Sequence, residues 1–266
     1  MFKHESGQLT ASTHGPGAAK GADAIRHARI ALGIAVLVSM LLALLPRLWP
    51  ALMWLAWPQL LVATLAHELG HGFAALLTGG GFDALKIYAD GSGVAITSIS
   101  GAGLQRAFIA AGGPFGPPLA ALMLFMAARH ARSARAALAL VALTLAFAAL
   151  WWVRNWFGFG WVALCAVVAA WAAWRAPSVA TQAFTCFLAV QLCLASLTGV
   201  DYLFSRGAVT GAGEFASDTQ QIAAQLGGPH WFWGGLIALA SLGVMVAGLW
   251  LFLRALRRQA MQPASH

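Results

Sequence analysis

The chain is organised around a succession of apolar runs, each about as long as a membrane-spanning helix. A helix needs about 20 predominantly apolar residues to cross the hydrocarbon core of a bilayer. Only the short stretch 154–158 separates the fourth predicted span from the fifth, so the sequence predicts a bundle of six to seven transmembrane helices. The predicted spans are 29–46, 51–78, 104–127, 135–153, 158–174, 179–199 and 230–253.

The composition agrees with a lipid environment. Of the 266 residues, 60% are hydrophobic and 9% are charged, whereas a soluble domain carries about 25% charged residues. Lys and Arg outnumber Asp and Glu by 16 to 8, but they lie singly or in short clusters between the apolar runs, as helix-end anchors do. We therefore predict an all-α polytopic membrane protein whose partner is the bilayer, and we expect no binding to nucleic acid.

The ends of the chain differ in composition from the apolar centre. Residues 1–25 are rich in Gly, Ala, Ser and Thr and have no periodic apolar face, which predicts a disordered N-terminal tail. Residues 26–258 are predicted to form a single transmembrane domain, and residues 259–266 a C-terminal tail.

Two polar gaps interrupt the apolar runs. In the first, residues 79–103, two short β-type segments flank a glycine-rich turn at 90–93, which predicts a β-hairpin after the second helix. Such a hairpin could offer an edge strand to an extended peptide or could be a plain surface hairpin. The second gap, 200–229, contains the carboxylates of Asp201, Glu214 and Asp218.

The second predicted span contains the motif His67-Glu68-Leu69-Gly70-His71. His67 and His71 are four residues apart, so both imidazoles project from one face of a helix and can bind one metal ion. Glu68 can take a proton from a zinc-activated water, because zinc lowers the pKa of bound water towards about 7. With 8 His and 3 Glu in the chain, random placement would produce this pattern in roughly 0.3% of such chains. A structural polar cluster between helices is the alternative, but ionisable groups inside a span usually have a function.

Together with its surroundings, this motif resembles the site-2 protease group of intramembrane zinc metallopeptidases, in particular the short bacterial branch described as peptidase M50B-like. The resemblance covers roughly 51–253 and includes the glycine-rich β segment, the Gly- and Pro-rich stretch 112–117 and the late pair Ser217-Asp218. Residues 112–118 must break or kink the third span, and they could open a water path or permit close helix packing. The Asn-x-x-Pro…Leu-Asp-Gly segment that supplies the third zinc ligand in typical members is absent.

The resemblance implies a Zn²⁺-dependent endopeptidase that cuts peptides or transmembrane helices within a bacterial inner membrane. It implies His67 and His71 as metal ligands and Glu68 as the catalytic base. A catalytic zinc needs a third protein ligand, and counting spans returns the gap 200–229 to the side of the membrane nearest His71. We predict Asp218 as this ligand because Ser217 marks a helix start that would hold it firmly, with Asp201 as the alternative.

A non-catalytic metal-binding membrane protein, either transporter-like or a degenerate protease homologue, is the alternative function. A transporter would place ionisable residues along several spans, whereas this chain concentrates them in one. A degenerate homologue would have lost Glu68 or a histidine, and the sequence retains all three residues. These features favour the enzyme.

Overall fold

The computed structural model describes residues 16–99, 101 and 103–261. Among these residues, seven helices are long and apolar enough to cross a membrane. The protein is therefore an integral multi-pass membrane protein, and the predicted helical bundle is confirmed with seven spans. The spanning helices are α1 (Pro16–Leu48), α2 (Trp57–Leu77), α3 (Leu104–Ala127), α4 (Ala131–Trp151), α5 (Trp156–Trp174), α6 (Ser178–Thr198) and α8 (His230–Met261), and α7 (Asp218–Leu226) is a short helix between the last two.

Both terminal helices extend beyond the boundaries predicted from the sequence. Helix α1 begins at Pro16, so residues 16–25, which were assigned to the tail, form its first turns. Helix α8 continues to Met261, three residues past the predicted boundary at 258. Extending a helix that already exists costs far less than starting one, so polar residues can continue an apolar span. The remaining tail residues, 1–15 and 262–266, lie outside the described residues.

The predicted hairpin follows α2 and has an ordered turn. Strands β1 (Gly81–Ile87) and β2 (Gly93–Ser98) pair in antiparallel fashion. Gly91 has φ +91° in the turn, a conformation that favours glycine. Asp90 accepts hydrogen bonds from the hydroxyl of Ser92 at 2.7 Å and from its backbone N–H at 2.9 Å. These two bonds stabilise the carboxylate and hold the pKa of Asp90 below its usual value.

The connection between α4 and α5 covers the second edge of β1. The N–H of Leu85 donates to the carbonyl of Trp152 at 2.8 Å, and the N–H of Arg154 donates to the carbonyl of Leu85 at 3.0 Å. The side chain of Asn155 accepts from the N–H of Ile87 at 3.3 Å and donates to its carbonyl at 2.6 Å. The loop that separates the fourth and fifth spans is thus fixed to the hairpin, and β2 forms the other edge of the sheet, beside α2.

Glycine residues bring α2 and α3 into close contact. A Cβ atom on Gly70 would overlap the carbonyl oxygen of Gly112, and a Cβ on Gly116 would overlap the carbonyl oxygen of Ala66. Such contact between helix backbones is typical of small residues in membrane proteins. Helix α3 also continues without interruption from Leu104 to Ala127, so of the two predicted outcomes, a break or a kink, the break does not occur. Prolines are tolerated in spanning helices where neighbouring groups compensate for the lost hydrogen bonds.

The second polar gap folds into ordered structure. After α6, a 3-10 helix at Val200–Phe204 leads into a second antiparallel hairpin, formed by β3 (Gly207–Thr210) and β4 (Gly213–Ala216). This hairpin was not predicted from the sequence. Its turn contacts the first hairpin, because the N–H of Gly211 donates to the hydroxyl of Ser92 at 2.9 Å. Helix α7 then starts at Asp218 with Ser217 as its N-cap, as predicted.

Candidate metal centre

His67 and His71 lie on one face of α2, and their imidazoles converge. The two Nε2 atoms are 3.2 Å apart. The Nδ1–H of His71 donates to the carbonyl of Ile109 on α3 at 2.7 Å. That bond places the ring proton on Nδ1, so in the neutral imidazole the lone pair of Nε2 faces His67, as a metal ligand requires.

Asp218 completes the cluster from the far end of the chain. Its Oδ2 atom lies 3.0 Å from Nε2 of His67, and its Oδ1 atom lies 3.3 Å from Nε2 of His71. Only 2% of the residue is exposed. Burial alone would raise the pKa of the Asp218 carboxyl, but the neighbouring imidazoles of His71 and His67 hold that pKa below its usual value. An ionised carboxylate at this position could serve as an oxygen ligand of a metal ion.

The spacing of these ligand atoms matches the edges of a zinc tetrahedron. Nitrogen and oxygen ligands about 2.0–2.2 Å from a tetrahedral zinc lie about 3.3 Å from one another. Potential ligand atoms of His67, His71 and Asp218 all lie within 4.8 Å of one another, and the nearest pairs lie at 3.0–3.3 Å. In addition, Oδ2 of Asp218 is buried, and Nε2 of His67, 3.0 Å away, makes no well-directed hydrogen bond to it. A buried carboxylate needs a compensating charge, and a divalent cation between these atoms would provide it.

Helix α7 is held firmly, so Asp218 has a fixed position. The hydroxyl of Ser217 donates to the carbonyl of Ser205 at 2.6 Å and accepts from the N–H of Gln220 at 3.3 Å. Further along the helix, Gln225 accepts from the N–H of Gly103 at 3.1 Å. The apolar face of α7 packs through Ile222 against α3 and α8. These bonds connect α7 to the start of α3 and preorganise the ligand.

Glu68 lies beside the ligand cluster but does not belong to it. The residue is buried, and its Oε2 atom accepts a hydrogen bond from the N–H of Ala95 in β2 at 2.7 Å. That bond leaves Oε1 available for a proton. In the described part of the chain, no Lys or Arg forms an ion pair with Glu68 or Asp218. Two buried carboxylates without a Lys or Arg partner suit the binding of a divalent cation.

Gly113 of α3 lies directly against the two histidines. A Cβ atom at this position would overlap Nε2 of His71 and would lie 2.6 Å from Nε2 of His67. Glycine therefore provides the space in which the two imidazoles meet. The sequence shows glycine at this position, but it does not show that the residue faces the metal-binding motif from another helix.

A cavity of about 370 Å³ opens beside this cluster. Its walls include His67, Glu68 and Tyr202, together with Gly93 from the start of β2 and residues 208–210 of the second hairpin. The cavity joins polar groups of the site to apolar side chains of the surrounding helices.

The structure distinguishes between the candidate carboxylates. Asp218 lies beside the histidines, whereas Asp201 is exposed in the 3-10 helix and Glu214 is exposed in β4. Neither of these two belongs to the group of potential metal ligands found among the described residues. Coordination of a metal by Asp218 stays a prediction. The sequence analysis missed Tyr202, which lies next to Asp201 in the chain and contacts both His67 and Asp218.

Comparison with known proteins gives one family match. The family model described as Peptidase M50B-like matches residues 34–248, a range that includes the two histidines, Glu68 and Asp218. No curated protein and no solved structure matches the chain.

Proposed function

Because the chain belongs to the peptidase M50B-like family of the site-2 protease group, we propose that it is a zinc-dependent endopeptidase that hydrolyses membrane-embedded peptides. The family is of the intramembrane protease type, and the seven spans agree with it. The observation that carries the proposal is the convergence of His67, His71 and Asp218 beside the buried Glu68. That set offers three side chains that can serve as zinc ligands and one adjacent carboxylate that can serve as a base.

In this proposal the two histidines and Asp218 hold the zinc ion. Bound zinc would supply Lewis acidity, which polarises a carbonyl and makes hydroxide available near neutral pH. Glu68 accepts the proton of the attacking water and returns it to the leaving nitrogen. Its bond to Ala95 fixes the carboxylate in place, and burial keeps bulk water away from the proton that it carries.

The substrate is proposed to bind as an extended segment in the cavity. Gly93 of β2 and residues 208–210, from β3, border that cavity, so strand backbone is available beside the base. A helix that unwinds within the bilayer exposes N–H and C=O groups that lipid cannot satisfy. Pairing with a strand edge satisfies such groups, and it would hold the peptide bond still beside Glu68. The bacterial inner membrane is the location that we propose for this reaction.

The experiment uses the purified full-length chain reconstituted in liposomes. Synthetic transmembrane peptides that contain helix-destabilising residues serve as substrates, and mass spectrometry identifies the products. We expect cleavage within the apolar segment, loss of cleavage after chelation and recovery with one equivalent of zinc. The Glu68→Gln variant, purified in the same way, controls for contaminating proteases. A wild-type protein that holds zinc but cleaves none of the peptides would favour the non-catalytic metal-binding alternative.

A further inference from the structure

Tyr202 lies at the metal centre, although no motif marks it. It belongs to the 3-10 helix Val200–Phe204 that follows α6. Its ring meets the imidazole of His67 edge-on, with the ring centroids 5.9 Å apart and the planes at 77°. Its hydroxyl accepts a hydrogen bond from the backbone N–H of Asp218 at 3.2 Å. The phenol thus touches two of the three predicted ligands and also lines the cavity.

The hydroxyl of Tyr202 carries one proton, which can go to the neighbouring carboxylate of Asp218 or to a substrate oxygen in the cavity. A phenol donates one hydrogen bond and can accept others, and the bond from Asp218 uses only its accepting capacity. Most other hydroxyls in the cavity wall are already committed as donors. Thr64 donates to the Gly91 carbonyl, Ser92 to Asp90, Ser196 to the Leu192 carbonyl and Thr210 to the Gly213 carbonyl.

Ser241 of α8 is the remaining hydroxyl in the cavity wall, and its oxygen is buried without a hydrogen-bond partner. Tyr202 differs from it because it is joined to the ligand set by the contacts with His67 and Asp218. Peptide hydrolysis develops negative charge on the carbonyl oxygen near the metal. A preorganised donor aimed at that oxygen is worth about 10²–10³-fold in kcat.

We propose that the phenol of Tyr202 donates a hydrogen bond to the carbonyl oxygen of the scissile peptide bond and stabilises its negative charge in the transition state. This inference rests on the proposed peptidase function and adds a catalytic residue to it. Attack of the water oxygen on the carbonyl carbon forms a C–O bond and moves the π electron pair onto the carbonyl oxygen. Glu68 transfers the water proton to the leaving nitrogen as the C–N bond breaks, and Tyr202 keeps its own proton throughout.

A merely structural role for Tyr202 gives a different expectation. If the hydroxyl acted only by accepting from Asp218, its loss would loosen α7 and weaken zinc binding, and excess zinc would restore kcat. A donor to the substrate should affect the transition state and leave zinc affinity and KM unchanged.

The test compares Tyr202→Phe with wild type in liposomes. This change deletes the hydroxyl but keeps the ring against His67. Tyr88→Phe is the matched control, because Tyr88 is the chain's other tyrosine and its ring packs on Gly211. We expect kcat to fall about 10²–10³-fold in Tyr202→Phe, with KM and zinc stoichiometry unchanged, and to stay at the wild-type value in Tyr88→Phe.

Two further measurements separate the possible failures. Binding of a peptide phosphinate, which carries anionic oxygens like those of the transition state, should weaken in Tyr202→Phe without loss of zinc. If Tyr202→Phe does not fold, incorporation of 3,5-difluorotyrosine at position 202 keeps the side-chain shape and makes the phenol a stronger donor, and kcat should change. The inference would be overturned if kcat in Tyr202→Phe or in the difluorotyrosine protein equalled that of wild type, or if excess zinc restored kcat in Tyr202→Phe. It would also be overturned if Ser241→Ala lost kcat and Tyr202→Phe did not. Absence of cleavage by wild type would instead overturn the proposed function.

Discussion

The Nε2 atoms of His67 and His71 face each other across 3.2 Å, one turn apart on α2. The bond from Nδ1 of His71 to the carbonyl of Ile109 directs an unprotonated Nε2 towards this contact when the ring is neutral. The lone pair of a neutral His71 Nε2 and the buried carboxylate of Asp218, 3.3 Å apart, repel each other unless a proton or a metal cation lies between them. The arrangement is therefore complementary to a metal ion.

The first prediction is that the protein binds one zinc ion per chain and that either histidine is required. Replacing His67 or His71 by Ala should lower zinc affinity by more than about 100-fold. Loss of a residue that only hydrogen-bonds to a metal ligand already lowers the affinity by about 10–100-fold, and loss of the ligand itself should cost more. Elemental analysis of protein purified without added metal and competition with a chelator measure the effect. His130→Ala, which changes an exposed histidine, is the matched control and should retain zinc. Metal-free wild-type protein would contradict this prediction.

The second prediction separates metal binding from chemistry at Glu68. Glu68→Gln should keep zinc at the wild-type level, because the carboxylate lies outside the ligand cluster. The amide oxygen can still accept from the N–H of Ala95, so the local fold should persist. Proteolysis should fall by about 10²–10⁴-fold, the usual contribution of a general base.

Asp83→Asn is the control for this charge change, because it removes another carboxylate, one that is exposed and accepts from Ser98 in the first hairpin. Its rate should stay close to wild type. Full proteolysis by Glu68→Gln would remove Glu68 from the mechanism.

The third prediction contrasts the two candidate third ligands. Asp218→Asn should lower zinc affinity by more than about 100-fold, whereas Asp201→Asn should not change it, since Asp201 is exposed. At a zinc concentration about 100 times Kd, binding adds about 2.7 kcal/mol to the stability of wild type, and this gain should disappear in Asp218→Asn. Thermal unfolding in detergent with and without zinc measures the difference.

The metal-free proteins provide an independent check on Asp218. Without zinc, the imidazoles of His67 and His71 lie against the carboxylate, so Asp218→Asn should unfold at a lower temperature than wild type, as expected when one partner of a buried pair is removed. The rise in unfolding temperature on addition of zinc is therefore measured for each protein against its own metal-free value. An equal rise in Asp218→Asn and wild type would contradict the ligand role.

Local sequence patterns predicted those parts of the fold that depend on local physics. The seven spans follow from apolar length, and the helix start at Ser217 follows from capping chemistry. The side of the membrane on which Asp218 lies could be predicted only by counting the spans, and that count depends on whether α4 and α5 are separate helices. They are separate, and the Leu85 and Asn155 hydrogen bonds fix the loop between them.

Other features depend on contacts that a single sequence does not reveal. Strands β3 and β4 have only four residues each, too few for a recognisable alternation. The Gly- and Pro-rich stretch does not break α3, because the part that contains Gly112 packs closely against α2 within a continuous helix. Tyr202 and Gly113 reach the site through space, from elements far from His67 in the sequence.

The fourth prediction uses the glycines between α2 and α3 to separate damage to the site from damage to the fold. In Gly113→Ala the new Cβ would meet the far ends of two side chains, those of His71 and His67. Side chains can rotate away, so the bundle should still form while the ligand geometry is lost. We expect zinc affinity and proteolysis to fall together, by at least about 10-fold, as for other disturbed metal ligands.

Gly70→Ala should behave differently, because its Cβ would overlap backbone at Gly112 and lie 3.1 Å from the Cα of Gly116. Backbone cannot rotate away, so the helices must separate, and we expect a loss of about 1–3 kcal/mol in stability. Gly243→Ala is the control, since its Cβ would meet no atom within 4 Å and alanine favours a helix by about 1 kcal/mol. Thermal unfolding and zinc titration of all three variants test the pattern. If Gly113→Ala binds zinc as tightly as Gly243→Ala, the close approach of α3 to the histidines is not required for the metal centre.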